Sequence, residues 1–210
     1  LANRFLSRFS AQVFVSFPAA QIEYFSDDKI ISIGNPIRRE ILAGSLTEAK
    51  KIFSLQGGKP VILVLGGSQG AQKINDMILT ILPEILTNFE LIHQTGEKNF
   101  KGVTEEARVV INKELEKYYH PISFLNEIEL REALKAGDLV ISRAGSGSIF
   151  EIAACQKPSI LIPLPASAQN HQVKNAYAYA QSKTCVVMEE ANLTPHFFLE
   201  KVKYLFSRPE

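Results

Sequence analysis

The 210-residue sequence lacks tryptophan and holds two cysteines and four histidines. His93, His120, His171 and His196 are scattered along the chain, so no cluster with metal-ligand spacing emerges. Cys155 and Cys185 sit in apolar surroundings without ligand spacing and read as core thiols of a reducing compartment. An excess of one charge is missing too: 23 Lys and Arg face 22 Asp and Glu, for a formal net charge of +1. Polyanion binders carry a strong basic excess, so no nucleic-acid partner is expected. No apolar run approaches the ~18 residues of a membrane span, and no signal-peptide pattern appears. There is no Asp-x-Asp sequence; Asp27 and Asp28 are adjacent in a polar stretch. No Ser-His-Asp ordering or strong nucleophile motif stands out, and neither a metal nor a cofactor is expected.

Hydrophobic residues make up 46% of the chain and charged ones 21%, the ordinary balance of a globular protein. The first residue is Leu1 rather than Met, inside a helix-like pattern, so a piece of something longer is expected. LANRFLSRFSAQVFVSFP reads as a helix tail and then a strand, Val13 to Phe17. Arg4 and Arg8 lie one turn apart with Phe5, Leu6 and Phe9 on other faces; this suits an ordinary packed helix or one resting on a membrane surface. IISIGNP, Ile30 to Pro36, is a short strand ending in a turn, and the helical run TEAKKIFSL leads to a break at Gln56 to Pro60. From Pro60 onward the apolar runs VILVL, FELIH, DLVIS, PSILIP and CVVME alternate with the helical patterns AQKINDMILTIL, LREALKAG, SIFEIAAC and QVKNAYAYAQ, with a weaker strand, HPISF, between. Short continuous apolar strands separated by helices predict an α/β fold: a doubly wound, Rossmann-like parallel sheet covered on both faces. Such sheets bind ligands at the carboxyl ends of their strands.

Three strand-to-helix loops could carry chemistry there. In VLGGSQGAQKIND, Gly66, Gly67, Ser68, Gln69 and Gly70 run from a strand into a helix, whose start favours an anion. The spacing is neither GxGxxG nor GxxxxGK, so a dinucleotide fold and a P-loop ATPase are both poorly supported, and a tight turn without a ligand stays open. In ISRAGSGSIFEIAACQKPSILIPLP, Gly145, Ser146, Gly147 and Ser148 offer N–H and hydroxyl donors at a second helix start. Glu151 lies about one turn further in, where its carboxylate would repel a phosphate but could accept hydrogen bonds from paired ribose hydroxyls. The alternative is that Glu151 only favours the helix start electrostatically, worth ~0.3–1 kcal/mol. In PASAQNHQVKNA, the groups of Gln169, Asn170, His171 and Gln172 carry almost no charge and suit hydroxyl-rich sugars, or merely a polar surface helix.

With these loops in place the chain resembles the MurG family, the bacterial N-acetylglucosaminyltransferases of peptidoglycan synthesis. The resemblance rests on GNPIR, VLGGSQGA, ISFLNEI, ISRAGSGSIFEIAACQKPSILIP and NHQVKNA in the family's order, covering the chain to about Leu193. It implies the donor-binding half of a GT-B glycosyltransferase. Residues 1–36 would be the tail of an N-terminal acceptor domain and the interdomain connection. Residues 37–210 would be the C-terminal domain that binds UDP-N-acetylglucosamine, cut before its final crossover segment. The implied reaction inverts the anomeric centre as the 4-hydroxyl of the muramyl sugar of lipid I attacks, giving lipid II, at the cytoplasmic side of the bacterial inner membrane.

The resemblance also implies a site. Ser68 and the turn of Ser146, Gly147 and Ser148 would meet the diphosphate and donor sugar, with Gly66, Gly67, Gly70 and Gly145 shaping the phosphate loops. Ile149 and Phe150 belong to the same donor-binding stretch, and Glu151 would take the ribose hydroxyls. Leu125 would contact the uracil, largely through backbone groups. Gln172 would hold sugar hydroxyls with His171 beside it, and Arg38 would reach the nucleotide from the interdomain side. Gly147 departs from the family pattern, standing where relatives often have a larger apolar residue. The catalytic base and the lipid I site would belong to the missing N-terminal domain, as would the contact with the membrane surface. The rival readings are a stand-alone donor-binding subunit working with a separate acceptor subunit, a UDP-N-acetylglucosamine 2-epimerase-like enzyme, and a dinucleotide-binding module.

Overall fold

The structure is a computed structural model that describes residues 5–17, 29–67, 71–165, 167 and 170–207. Two short strands, β1 (Val13–Val15) and β2 (Ile30–Ser32), pair in parallel as a small separate sheet. A 3₁₀ turn, Arg39–Ala43, and helix α1 (Leu46–Phe53) follow, the helix capped by the Ser45 side chain.

The main sheet has six parallel strands, β3 (Val61–Leu65), β4 (Glu90–Gln94), β5 (Tyr119–Ile122), β6 (Leu139–Ser142), β7 (Ser159–Leu161) and β8 (Cys185–Val187). Their order is β5-β4-β3-β6-β7-β8. The connecting helices are α2 (Gln72–Asn88), α3 (Phe100–Val110), α4 (Glu127–Ala136), α5 (Ser146–Ala154) and α6 (His171–Ala180), and α7 (Pro195–Ser207) follows β8. Side chains alternate across a strand, and both faces of β3 are covered accordingly. Ile62 and Val64 join a core with α2, α3 and α7, whereas Val61, Leu63 and Leu65 face α1 and α4. This is the doubly wound sheet that the alternating apolar runs predict.

Two details differ from the sequence reading. The helical pattern seemed to stop at Leu82, yet α2 runs through Pro83 to Asn88. A proline inside a helix costs about 3 kcal/mol. The segment beyond it buries Ile85, Leu86 and Phe89, each worth about 1.5–3 kcal/mol, so burial wins. The second is α3, which the apolar pattern did not reveal because it buries only Val103 and Ala107. The weak strand HPISF is β5, at the edge of the sheet, where Pro121 can lack an N–H without breaking a second ladder.

The order of strands also decides where a ligand fits. From the adjacent pair β3 and β6 the chain winds outward in opposite directions, and Leu65 lies opposite Ser142 at their carboxyl ends. The loops leaving β3 and β6 therefore stand side by side at the switch point of the sheet.

Candidate functional site

The loop after β6 presents donors without acceptors among the described residues. Gly145 has an extended backbone, and the first helical bond of α5 runs from Ile149 N–H to the Gly145 carbonyl at 3.0 Å. The N–H groups of Ser146, Gly147 and Ser148 are thus left outside the helical ladder, at the positive end of its dipole. Ser146 Oγ is buried and has no hydrogen-bond partner among the described residues. A buried hydroxyl beside three open N–H groups is built to receive an acceptor, and an anion supplies the strongest one.

The neighbouring loop after β3 is tied to β4, with Gly66 N–H donating to the Gln94 carbonyl at 3.2 Å. Gly67 has φ +78°, which only glycine adopts without strain. The remaining residues assigned to this loop, Ser68, Gln69 and Gly70, lie outside the described residues. Neither Gly145 nor Gly147 has a left-handed backbone, and a Cβ added at Gly147 would meet Asn35 Nδ2 at an ordinary 3.8 Å. Neither space nor backbone geometry there demands a glycine.

Glu151 and Arg38, far apart in the chain, meet in space. Arg38 Nε and Nη2 both donate to Glu151 Oε1, at 3.1 and 2.7 Å, and Nη1 donates to Glu127 Oε1 at 3.1 Å. These hydrogen bonds, Glu151 first, raise the guanidinium pKa above its ordinary value. Both Glu151 bonds end on Oε1, so Oε2 takes no hydrogen bond from a described residue. A carboxylate held by one oxygen and open at the other can receive hydroxyl donors without losing its counter-charge. Arg38 also spans the start of α4 and the body of α5, which brackets the loop holding Leu125. That loop is fixed by a reciprocal cap: Asn126 Oδ1 accepts from Ile128 and Glu129 N–H, and Glu129 accepts from Asn126 N–H at 2.8 Å. Leu125 itself is buried, its side chain packed into the core.

The side chains of Ile149 and Phe150 are engaged in packing. Ile149 is buried beside Leu161 and Ala176, and the Phe150 ring packs 5.2 Å from Phe17 and against Gly34. Their side chains hold the small N-terminal sheet and its connection against α5. Gln172, in the first turn of α6, accepts through Oε1 from Leu164 N–H at 3.0 Å, and its own N–H donates to Ser167 Oγ. Its carbonyl oxygen braces the loop, and no described residue accepts from its amide NH₂. His171 opens the same helix. Asn175 Nδ2 donates to the Ala144 carbonyl at 3.2 Å, joining α6 to the α5 loop.

Arg143 has no place in the sequence reading. It follows β6 directly and donates to the Ile162 carbonyl and, at 2.6 Å, to Glu190 Oε1. This largely buried pair ties together the segments that follow β6, β7 and β8. The signal available was a lone charged residue directly after a fully buried strand. A cavity of about 700 Å³ opens at the opposite, amino edge, lined by Lys157, Ser159, Cys185 and Phe206 among others, and meets none of the three loops. Burial pushes the Cys185 thiol up to about 11 and raises Cys155, in keeping with inert core thiols. Among the described residues no group of three or more His, Cys, Asp or Glu could hold a metal, and no helix is long and apolar enough to cross a membrane.

Comparison with known proteins bears on this arrangement. Residues 61–210 match the glycosyltransferase family 28 C-terminal domain. The chain belongs to that family. The UDP-N-acetylglucosamine--N-acetylmuramyl-(pentapeptide) pyrophosphoryl-undecaprenol N-acetylglucosamine transferase of Thermodesulfovibrio yellowstonii is 37% identical to it over 213 residues, covering 100% of this chain and 56% of the relative. Among solved structures, Acinetobacter baumannii MurG superposes with a TM-score of 0.71 at 21% identity, covering 98% of this chain and 55% of that one. The UDP-GlcNAc 2-epimerase of Neisseria meningitidis, solved with UDP-GlcNAc bound, gives 0.62 at 15% identity, covering 98% and 55%. At such identities the structures show shared architecture alone. The family 28 domain is thus a six-stranded parallel α/β sheet with the GT-B type of architecture, and the chain spans about half the length of the curated relatives it matches.

Proposed function

We propose that this family 28 domain binds UDP-N-acetylglucosamine for an inverting transfer of N-acetylglucosamine to the 4-hydroxyl of the muramyl sugar of lipid I, the step that makes lipid II. The reading is carried by one juxtaposition: the open donors at the start of α5, with buried Ser146 Oγ among them, stand one turn from Glu151, whose Oε2 is open. Donors suit the diphosphate and the carboxylate suits the ribose diol, at a spacing that follows a nucleotide along the helix. Uracil would sit against the backbone at Leu125, Arg38 would close over the nucleoside, and the Gln172 amide would select the sugar. The helix starts of α5 and α2 would stabilise the negative charge that builds on the leaving diphosphate. Residues that hold the lipid-linked acceptor and remove its proton would lie in a preceding domain, for which residues 1–36 form the tail and connection. The whole enzyme would work as a peripheral protein on the cytoplasmic face of the bacterial inner membrane, without a metal.

Calorimetric titration of the chain with UDP, UDP-N-acetylglucosamine and NAD tests the donor assignment. Both uridine nucleotides should bind, NAD should not, and a chelator should leave affinity unchanged. Failure of UDP to bind, or a tenfold loss on chelation restored by manganese, would overturn the assignment. Radiolabelled sugar transfer to a lipid I analogue should need the acceptor domain as well as this chain.

A further inference from the structure

Around the carboxyl end of β4 lies a polar network that the donor site does not use. His93, Asn75 and Thr95 are fully buried, and Tyr119 nearly so. His93 Nδ1 lies 2.9 Å from Tyr119 Oη and Nε2 lies 3.0 Å from Asn75 Oδ1, while Asn75 Nδ2 donates to the Thr95 carbonyl at 3.0 Å. A carbonyl can only accept, so Thr95 fixes which end of the Asn75 amide faces it. Asn75 must then turn its oxygen to His93, and an oxygen facing Nε2 requires the proton on Nε2. Nδ1 is left bare, and Tyr119 must donate to it. One arrangement satisfies every buried group, and adding a second proton to the ring would turn the Tyr119 hydroxyl from donor to acceptor and leave its own hydrogen without that partner in a dry interior.

The positions joined are informative. Asn75 lies in the first turn of α2, and its N–H makes the helix's bond to the Ala71 carbonyl at 2.9 Å. Thr95 follows β4, next to Gln94, whose carbonyl receives the Gly66 N–H. The network therefore grips both the helix that follows the β3 loop and the strand end to which that loop is tied. Resting on the nucleotide-sugar reading above, we propose that His93, held neutral with its proton on Nε2, and Asn75 are positioning residues that aim the start of α2 at the donor diphosphate. Burial lowers the His93 pKa to about 3, in agreement with a ring that stays neutral; Tyr119 is the titratable group facing it.

Nitrogen-15 spectra of the 210-residue chain, with UDP and uridine titrations of variants, test this. The His93 ring should show a protonated Nε2 and bare Nδ1, unchanged from pH 5 to 9. Asn75→Leu and His93→Leu should each weaken UDP about tenfold while uridine changes less than twofold, because only the phosphate end has moved. His93→Gln, which keeps an N–H for Asn75, should recover UDP affinity to within about threefold of the parent. Should the leucine variants not fold, Tyr119→Phe keeps the ring and removes the donor to Nδ1; the proton should stay on Nε2, the bare Nδ1 resonance should shift as its hydrogen bond is lost, and UDP alone should show a measurable loss. A proton on Nδ1 in the parent, titration of His93 between pH 5 and 9, or equal losses for UDP and uridine would overturn the proposal. If the parent binds uridine but not UDP, the phosphate role falls; if it binds neither, the donor reading itself fails, and the spectra still decide the tautomer.

Discussion

At the amino edge of the sheet, acids sit among donors already supplied by the fold. Glu90, fully buried, accepts from Gln56 N–H at 2.8 Å, Gly57 N–H at 3.2 Å and His120 Nε2 at 2.7 Å. Asp138 there accepts from Val61 N–H at 2.8 Å. At the carboxyl edge the balance reverses: the start of α5 offers N–H groups and the Ser146 hydroxyl with no acceptor among the described residues, and Glu151 keeps one oxygen open. Buried polar groups are costly when unmatched, so a protein leaves them open where something else completes them. The contrast separates the edge that holds the fold from the edge that waits for a ligand, although the buried, unmatched Ser159 Oγ at the amino edge is an exception.

The largest effect should come from the edge that holds the fold. Glu90→Ala strips three donors of a charged acceptor, each bond worth about 1.5–3 kcal/mol. Urea denaturation should show a loss of about 3–5 kcal/mol, with UDP affinity of the folded fraction nearly unchanged. A loss of UDP binding without a loss of stability would erase the distinction between the edges.

Glu151→Ala should do the reverse. UDP and UDP-N-acetylglucosamine should both weaken by about 10- to 150-fold, the equivalent of roughly 1.5–3 kcal/mol, in isothermal titration. Stability should change by less than about 1 kcal/mol, because the Arg38 pair is partly exposed. A folded variant with parental UDP affinity would remove Glu151 from the ribose.

Between the edges, pH should report the network on His93. Its pKa is lowered from 6.5 to about 3 in the folded chain. Below pH 6.5 the unfolded chain takes up a proton that the folded chain refuses, so stability is full above that pH and falls as pH drops towards 3. The slope from this group should be about 1.4 kcal/mol per pH unit. Denaturation curves of His93→Gln should be flatter over that window by about this amount; identical slopes would mean that the ring protonates in place.

The smallest and sharpest contrast pairs two serines. Ser146→Ala and Ser159→Ala each remove a buried hydroxyl without a partner among the described residues, so neither should destabilise the chain by more than about 0.5 kcal/mol and either could stabilise it. UDP affinity should fall about three- to tenfold for Ser146→Ala and stay unchanged for Ser159→Ala. Equal effects on UDP would show that the orphan at α5 has nothing to do with a ligand.

Much of this was legible in the residues. The runs VILVL, DLVIS and PSILIP showed strands buried on both faces because continuous apolarity has no other cheap explanation in a short segment. Gly66 and Gly67, and the small residues around Gly145, marked where strands turn into helices, and five ordered motifs pointed to the family that residues 61–210 match. Other features carried no local mark. A histidine in FELIH looks the same whether it is a ligand or a buried donor, and Pro83 looked like a helix end until the apolar face beyond it found a core.

Local preference and periodicity act within a few residues, and so element type, the parallel class of the sheet and the identity of the donor-rich loops could be read along the chain. Which strand lies beside which cannot, because adjacency is set by packing among segments tens of residues apart. Placing β6 against β3 brought the α5 loop beside the β3 loop. Packing of the connection brought Arg38 onto Glu151, 113 positions away. Closing the interior over β4 left the Thr95 carbonyl to orient Asn75, and through it the proton on His93. Each is a matter of which polar groups remain unmatched once water has been excluded, and that is settled only when the whole sheet has closed.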